Sequence, residues 1–377
     1  MSSAPERLRL LREQRNMSLV SLAAALGFKD HQTLSAIELG ERRLTADELV
    51  AAARHFDVRL DYFTDPFELA GEGKFSWRQK SAVPADLDAF EAKAGRWIAA
   101  FRHLSRLRGN PVNSVMRRVG VTRNSRYEDA QAEGESIATL LKLGATPATQ
   151  LLRALEDDMD TLVLHVDAVR GVSGAACQLT ELNCILINRH ESEGRRNYDA
   201  AHEFFHLLTW ANEGMQPLRI EPDKSSELKE KGAKRVEELA ENFAAALLMP
   251  SGAVRAYLDA HPLPAETGIV AWLAPAAAHF KVSRAAMLWR LVALGHVKRA
   301  AADRLRDSVP SSNVAADKAD LPPRFSRRFV DTPGWGIEQG HLSARRAATL
   351  TPGQRKRVSG GALTPATARS RFANPAE

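Results

Sequence analysis

Apolar residues at the start of the chain recur at helical spacing, and glycine breaks them at short intervals. Glu6–Arg15 predicts an amphipathic helix. Ser18–Leu26 predicts a second, with Ser18 as its cap and Gly27 as its end. A third, short helix covers about Asp30–Glu38, with Leu34 and Ile37 facing inward; Gly40 ends it and Glu41-Arg42-Arg43 follows. Two further apolar-periodic pieces, Thr45–Phe56 and Asp61–Phe67, complete a five-helix unit over residues 1–70.

Residues 71–150 read as a helix-rich connector marked by Trp77, Leu87, Phe90, Trp97, Phe101 and Leu104. Strand pattern enters only at Leu162–Val166 and Cys184–Ile187, which flank a Gly/Ser/Ala-rich stretch read as a turn region. Asn197–Trp210 then predicts a largely buried helix, with Asn197 and Asp199 as candidate caps. Val236–Pro250 predicts another, with Leu239, Phe243, Ala246 and Leu247 inward and Pro250 as its stop. Ile269–Gly295 has a two-helix rhythm with a turn at Lys281–Ser283. Its Arg284 and Arg290 would mark a second DNA surface if they faced outward, but the pair is read as structural. Residues 301–377 are poor in apolar positions and rich in Pro, Ser and Arg. They read as a basic appendage, with a short helical piece at Pro322–Leu350 and disorder past about Thr351. The fold class is mostly α with a small β-sheet, α+β.

Composition narrows this picture only slightly. At 377 residues, 44% of them hydrophobic, the chain can build two or three cores. A net charge of +6 favours a polyanionic partner. No apolar run has the length of a membrane span, and MSSAPERLRLL lacks the apolar core of a signal peptide. The two cysteines, Cys177 and Cys184, fit no metal ribbon or redox motif, so they read as reduced thiols of a cytoplasmic protein beside the small sheet.

Candidate chemistry sits on the Asn197–Trp210 helix, which contains His202-Glu203-Phe204-Phe205-His206. Positions i and i+4 lie on one face of a helix, so two imidazoles can share one metal ion. The Glu between them is placed to act as general base in a metal-assisted hydrolysis. Two core histidines satisfied by hydrogen bonds are the bland alternative, but His and Glu side by side are costly in a core without partners. A zinc site of this kind needs a third protein ligand. Glu237, Glu238 and Glu241 at the start of the next helix are the candidates, and the residues alone leave all three open.

H-E-x-x-H followed about thirty residues later by Glu237-x-x-Ala240-x-x-Phe243-Ala244-Ala245-x-Leu247-Leu248-Met249-Pro250 resembles the ImmA/IrrE-type metallopeptidases. The resemblance covers about residues 151–300 and implies a zincin-like fold. It implies Zn2+ held by His202, His206 and Glu237, with Glu203 as catalytic base. Glu241 stands where that family has Asn or Asp. The resemblance also implies a small sheet before the metal helix, one edge of which holds an extended peptide.

Short helices at the spacing found in residues 1–70 suit a helix-turn-helix domain. The segments SLVSLAAALGF and TLSAIELGERRLTADELVAAARHFDV resemble the XRE (lambda-repressor-like) family, with one extra residue between Gly27 and Ile37. The resemblance points Asp30, His31, Gln32, Thr33 and Ser35 toward base edges and Arg42 and Arg43 toward phosphates. A five-helix module for protein contacts or dimerisation is the alternative.

The expectation is a DNA-binding transcriptional regulator with a zinc endopeptidase domain. Its expected partners are double-stranded operator DNA and one specific protein substrate, a helix-turn-helix repressor. A homodimer is compatible with this reading and a membrane is not expected. A regulator whose peptidase-like domain senses a signal without proteolysis is the competing expectation.

Overall fold

The computed structural model describes residues 3–69, 71, 73–79, 83–110, 118–216, 227–309 and 321–350. Its first five helices are α1 (Ala4–Gln14), α2 (Leu19–Ala25), α3 (His31–Glu38), α4 (Ala46–Phe56) and α5 (Asp61–Thr64). Side-chain caps set four of the starts: Ser3 accepts from the Glu6 N–H, Ser18 from Ser21, Asp30 from Thr33 and Thr45 from Glu48. Gly27 and Gly40 take φ of +74° and +78°, which strains an L side chain, so each helix ends there. Leu8, Leu22, Leu34, Ile37 and Ala52 form the centre of this unit. Arg7, 1% exposed, donates to the carbonyls of Tyr62, Asp65 and Glu68 and ties the end of the unit to its first helix.

The rest of the chain is built around one four-stranded sheet of order β1-β3-β4-β2. The strands are β1 (Lys74–Gln79), β2 (Thr161–Val166), β3 (Val172–Gln178) and β4 (Asn183–Asn188). β3 pairs antiparallel with both β1 and β4, and β2 lies parallel to β4. Two of these strands depart from the sequence reading. The Gly/Ser/Ala-rich stretch expected as a turn region is β3, buried over nearly its whole length. Its small residues lack strand propensity because helices cover both faces and leave no room for branched side chains. The supposed helical connector contributes β1.

On one face of the sheet, Val163, Ala176, Ile185 and Ile187 share a core with α9 (Glu193–Thr209), on which α10 (Glu227–Leu248) packs. α7 (Tyr127–Leu140), also from the connector, packs along α10. On the other face, Leu162, Leu164, Ala175, Cys177, Cys184 and Leu186 pack against Phe90, Trp97 and Phe101 of α6 (Pro84–Leu107). Cys177 and Cys184 stand opposite one another on β3 and β4 as buried thiols. α8 (Leu151–Asp157) precedes β2, and α11 (Ser251–Ala260) follows α10.

α12 (Ile269–Phe280) and α13 (Arg284–Ala293) turn at Lys281, as the two-helix rhythm predicts. Arg290 is 1% exposed and bonds Met249 O, Gln131 and Glu135, so it faces the core and not DNA. After α14 (Arg299–Leu305), α15 (Arg327–Glu338) and α16 (Ala344–Leu350) return to α6. Phe325 and Phe329 complete the α6 face of the sheet, while Leu342, Ala347 and Leu350 pack with Phe67, Ala100 and Leu104. The disorder expected past Thr351 lies outside the described residues. No helix among the described residues is long and apolar enough to cross a membrane.

Candidate metal centre and DNA-facing surface

From Asp199 onward every residue of α9 is buried, so its polar side chains there are carried into the interior. It begins at Glu193, a full turn before the caps expected from the sequence. Asn197 and Asp199 lie inside it: Asn197 donates to Lys281 O, and Asp199 pairs with Arg195 at 3.1 Å. The helix therefore leans on the α12–α13 turn instead of being capped by these residues.

His202 and His206 project from the same face, with their Nε2 atoms 3.1 Å apart. Glu237 reaches them from α10, placing Oε2 3.0 Å from His202 Nε2 and Oε1 3.4 Å from His206 Nε2. The three donors lie within 4.8 Å of one another. Both imidazoles are buried, whereas the Glu237 side chain keeps 48% of its surface exposed, so the group is open on one side. Two imidazoles and one carboxylate around an open position fit a divalent metal of the zinc type. Desolvation pushes the Glu237 carboxyl up, and hydrogen bonds with His202 and His206 outweigh it, leaving it well below the usual carboxylate range.

The neighbouring acids point elsewhere. Glu238 accepts a 2.5 Å bond from the Tyr127 hydroxyl. Glu241 is exposed, and its backbone carbonyl accepts from Tyr198 at 2.9 Å. Glu203 is 1% exposed and faces β3. A Cβ built on Gly174 would lie 3.5 Å from Glu203 Cγ and Oε1 and 3.1 Å from Leu186 O.

The outer surface of α3 carries the other set of predicted residues. His31 and Gln32 are exposed, and Thr33 and Ser35 are half-buried. Asp30 Oδ1 accepts from both the Thr33 N–H (2.8 Å) and the Thr33 hydroxyl (3.0 Å). These bonds hold its carboxyl below the ordinary range, and capping α3 occupies it. Arg42 is held in a fork by Glu48 at 2.7 and 3.1 Å. Arg43 is exposed.

Residues 8–63 match the helix-turn-helix family model, and residues 156–292 match the IrrE N-terminal-like domain of peptidase family M78. The chain joins a helix-turn-helix domain to an IrrE-like domain. No curated protein and no solved structure gives a significant match.

Within the IrrE-like domain, the structure brings His202, His206 and Glu237 together, with Glu203 next to His202 on the same helix. Two contributors went unnoticed in the sequence. Gly174 makes room for the Glu203 side chain, and a glycine amid strand residues is the signal of such a close approach. Tyr198 lies one turn before His202 and fastens α9 to α10; its spacing with His202 and His206 was the available clue.

Proposed function

We propose that this protein is a DNA-binding transcriptional regulator whose IrrE-like domain is a zinc-dependent endopeptidase that cuts one specific protein, a helix-turn-helix repressor. The observation that carries this reading is the meeting of His202, His206 and Glu237 from two helices, with the buried acid Glu203 adjoining them. A purely sensory domain has no use for that fourth group.

His202, His206 and Glu237 would hold the zinc, and the open side of the group would admit water and a peptide. Bound zinc supplies Lewis acidity, which polarises the scissile carbonyl and makes water more acidic. Glu203, confined between α9 and β3, would take the proton of the attacking water and return it to the leaving amine. Gly174 would let its carboxylate lie against β3 during that transfer. At the other end of the chain, Gln32 with His31, Thr33 and Ser35 would read bases, and Arg43 would grip phosphate. A DNA target goes with a cytoplasmic location.

The test is Glu203→Gln in the full-length protein, assayed against repressors encoded beside it. The variant should keep its metal and its DNA affinity and lose cleavage. Unchanged regulatory output in cells carrying Glu203→Gln would end the proteolytic reading.

A further inference from the structure

The strand nearest the candidate base is β3, because Gly174 lies against Glu203. An extended peptide entering beside Glu203 would bond most directly to the edge of that strand. One edge of β3 is taken by β4 and the other by β1. β1 is not part of the matched IrrE-like region, which begins at residue 156. It belongs to the segment leading out of the helix-turn-helix domain, whose match ends at residue 63. The chain's own linker therefore covers the edge that the IrrE-like domain would otherwise present.

The pairing is antiparallel and short, and it is irregular next to the site. Arg78 stands opposite Gly174, Ser76 opposite Ala176 and Lys74 opposite Gln178, with a register shift between Arg78 and Gln79. A shift there weakens the ladder close to the residue that Glu203 touches. β1 is anchored from the opposite face by Phe75 and Trp77, which stack at 5.5 Å and are only half-buried. Trp77 Nε1 donates to Glu91 of α6 at 2.7 Å. β1 is held by six paired positions and two half-buried rings, whereas β4 is buried over nearly its whole length.

We propose that β1 is a built-in occupant of the substrate edge: an extended peptide pairs with β3 beside Glu203 only after the linker strand leaves. This rests on the peptidase reading above and adds its regulation and substrate class. The incoming segment runs antiparallel to β3 and carries large apolar side chains two positions apart, where Phe75 and Trp77 now sit.

The test uses full-length protein and a labelled synthetic peptide with the sequence of residues 73–80, followed by fluorescence anisotropy. The wild type should bind it weakly. Phe75→Ser with Trp77→Ser, and the milder Trp77→Ala, should bind it at least about tenfold more tightly, since apparent affinity scales with the fraction of open edge. Hydrogen exchange should show faster exchange of β3 amides in both variants with β4 unchanged, which verifies that the fold is intact. Adding Ser76→Cys and Ala176→Cys to Trp77→Ala joins directly opposed positions. Oxidising that pair should abolish peptide binding and reducing it should restore binding. Equal binding by wild type and variants overturns the proposal, as does a variant that frees β3 yet binds nothing. Peptide binding needs no catalysis, so this outcome is independent of the Glu203→Gln result.

Discussion

His202 Nε2 and Glu237 Oε2 stand 3.0 Å apart although 35 positions separate them. The contact forms because Phe243 of α10 packs on Phe204 and Phe205 of α9, at 6.4 and 5.2 Å between ring centroids. The apolar seam sets the distance, and the carboxylate needs only to lie one helical turn before Glu241 to face the histidines.

Metal content should therefore depend on Glu237 and not on its neighbours. His202→Ala should bring zinc, measured by atomic emission after dialysis, from about one per chain to near zero. Glu237→Gln should weaken zinc by more than about tenfold, since even supporting groups contribute 10–100-fold. Glu238→Gln and Glu241→Gln should keep it. Full zinc content in Glu237→Gln would mean that the carboxylate at 237 is not a ligand.

Gly174→Val should separate metal binding from chemistry. Its Cβ would meet Leu186 O at 3.1 Å, and its methyls would crowd the Glu203 carboxylate. Misplacing a catalytic group by about 1 Å costs roughly 100-fold. Repressor cleavage should fall toward that extent while zinc content stays at the wild-type level. Full cleavage by Gly174→Val would remove any role for the close approach.

The chemistry was more legible than the fold around it. Spacing alone put His202 and His206 on one face, because helical periodicity is local. The choice of Glu237 from three glutamates was not local: it depends on where Tyr127 and Glu241 sit once α7 and α9 have packed on α10. β3 was misread because Gly174, Ala175 and Ala176 carry no strand preference, and only the helices on both faces explain them. β1 was missed because its partner lies about a hundred residues downstream in sequence. The resemblance points Asp30 and Arg42 toward DNA, while in the structure Asp30 caps α3 and Arg42 pairs with Glu48.

Stability should fall in mild acid through His165 on β2. Burial, followed by the charges of Arg196 and Arg189, lowers its pKa from 6.5 to about 4. Lys93, Asp167 and Arg324 line the small cavity beside it. Below 6.5 the unfolded chain takes up a proton that the folded chain refuses until about 4. Stability attributable to this group is thus complete above 6.5 and declines between 6.5 and 4, by at most about 1.4 kcal/mol per pH unit. Urea unfolding of His165→Gln should show a shallower decline across that window; an unchanged slope would exclude His165 as its source.

Arg290→Met should destabilise the IrrE-like domain by about 1–3 kcal/mol, because it takes the guanidinium from the partly exposed Glu135 and leaves the Met249 carbonyl without its donor. Pairing it with Glu135→Gln should recover part of the loss, since Ser251 N and Oγ can still bond the residue at 135. Chemical denaturation of the single and double variants measures both. Normal stability with weakened DNA affinity would instead assign Arg290 to a nucleic-acid surface.

On the helix-turn-helix domain, the ion pair between Arg42 and Glu48 separates two arginines that look equivalent in sequence. Gln32→Ala should cost about 1–3 kcal/mol of operator affinity and relax preference at one base pair, because a bidentate amide reads adenine. Arg43→Ala should weaken binding to all sequences and lower the salt slope by about one ion. Arg42→Ala should leave that slope near its wild-type value and lower the melting temperature of the domain, as Glu48 loses its partner at the start of α4. Anisotropy titrations over a range of salt, on DNA from the upstream region of the gene, read all three. If Arg42→Ala lowers the salt slope as much as Arg43→Ala, the guanidinium leaves Glu48 for phosphate on binding, and the division between the two arginines fails.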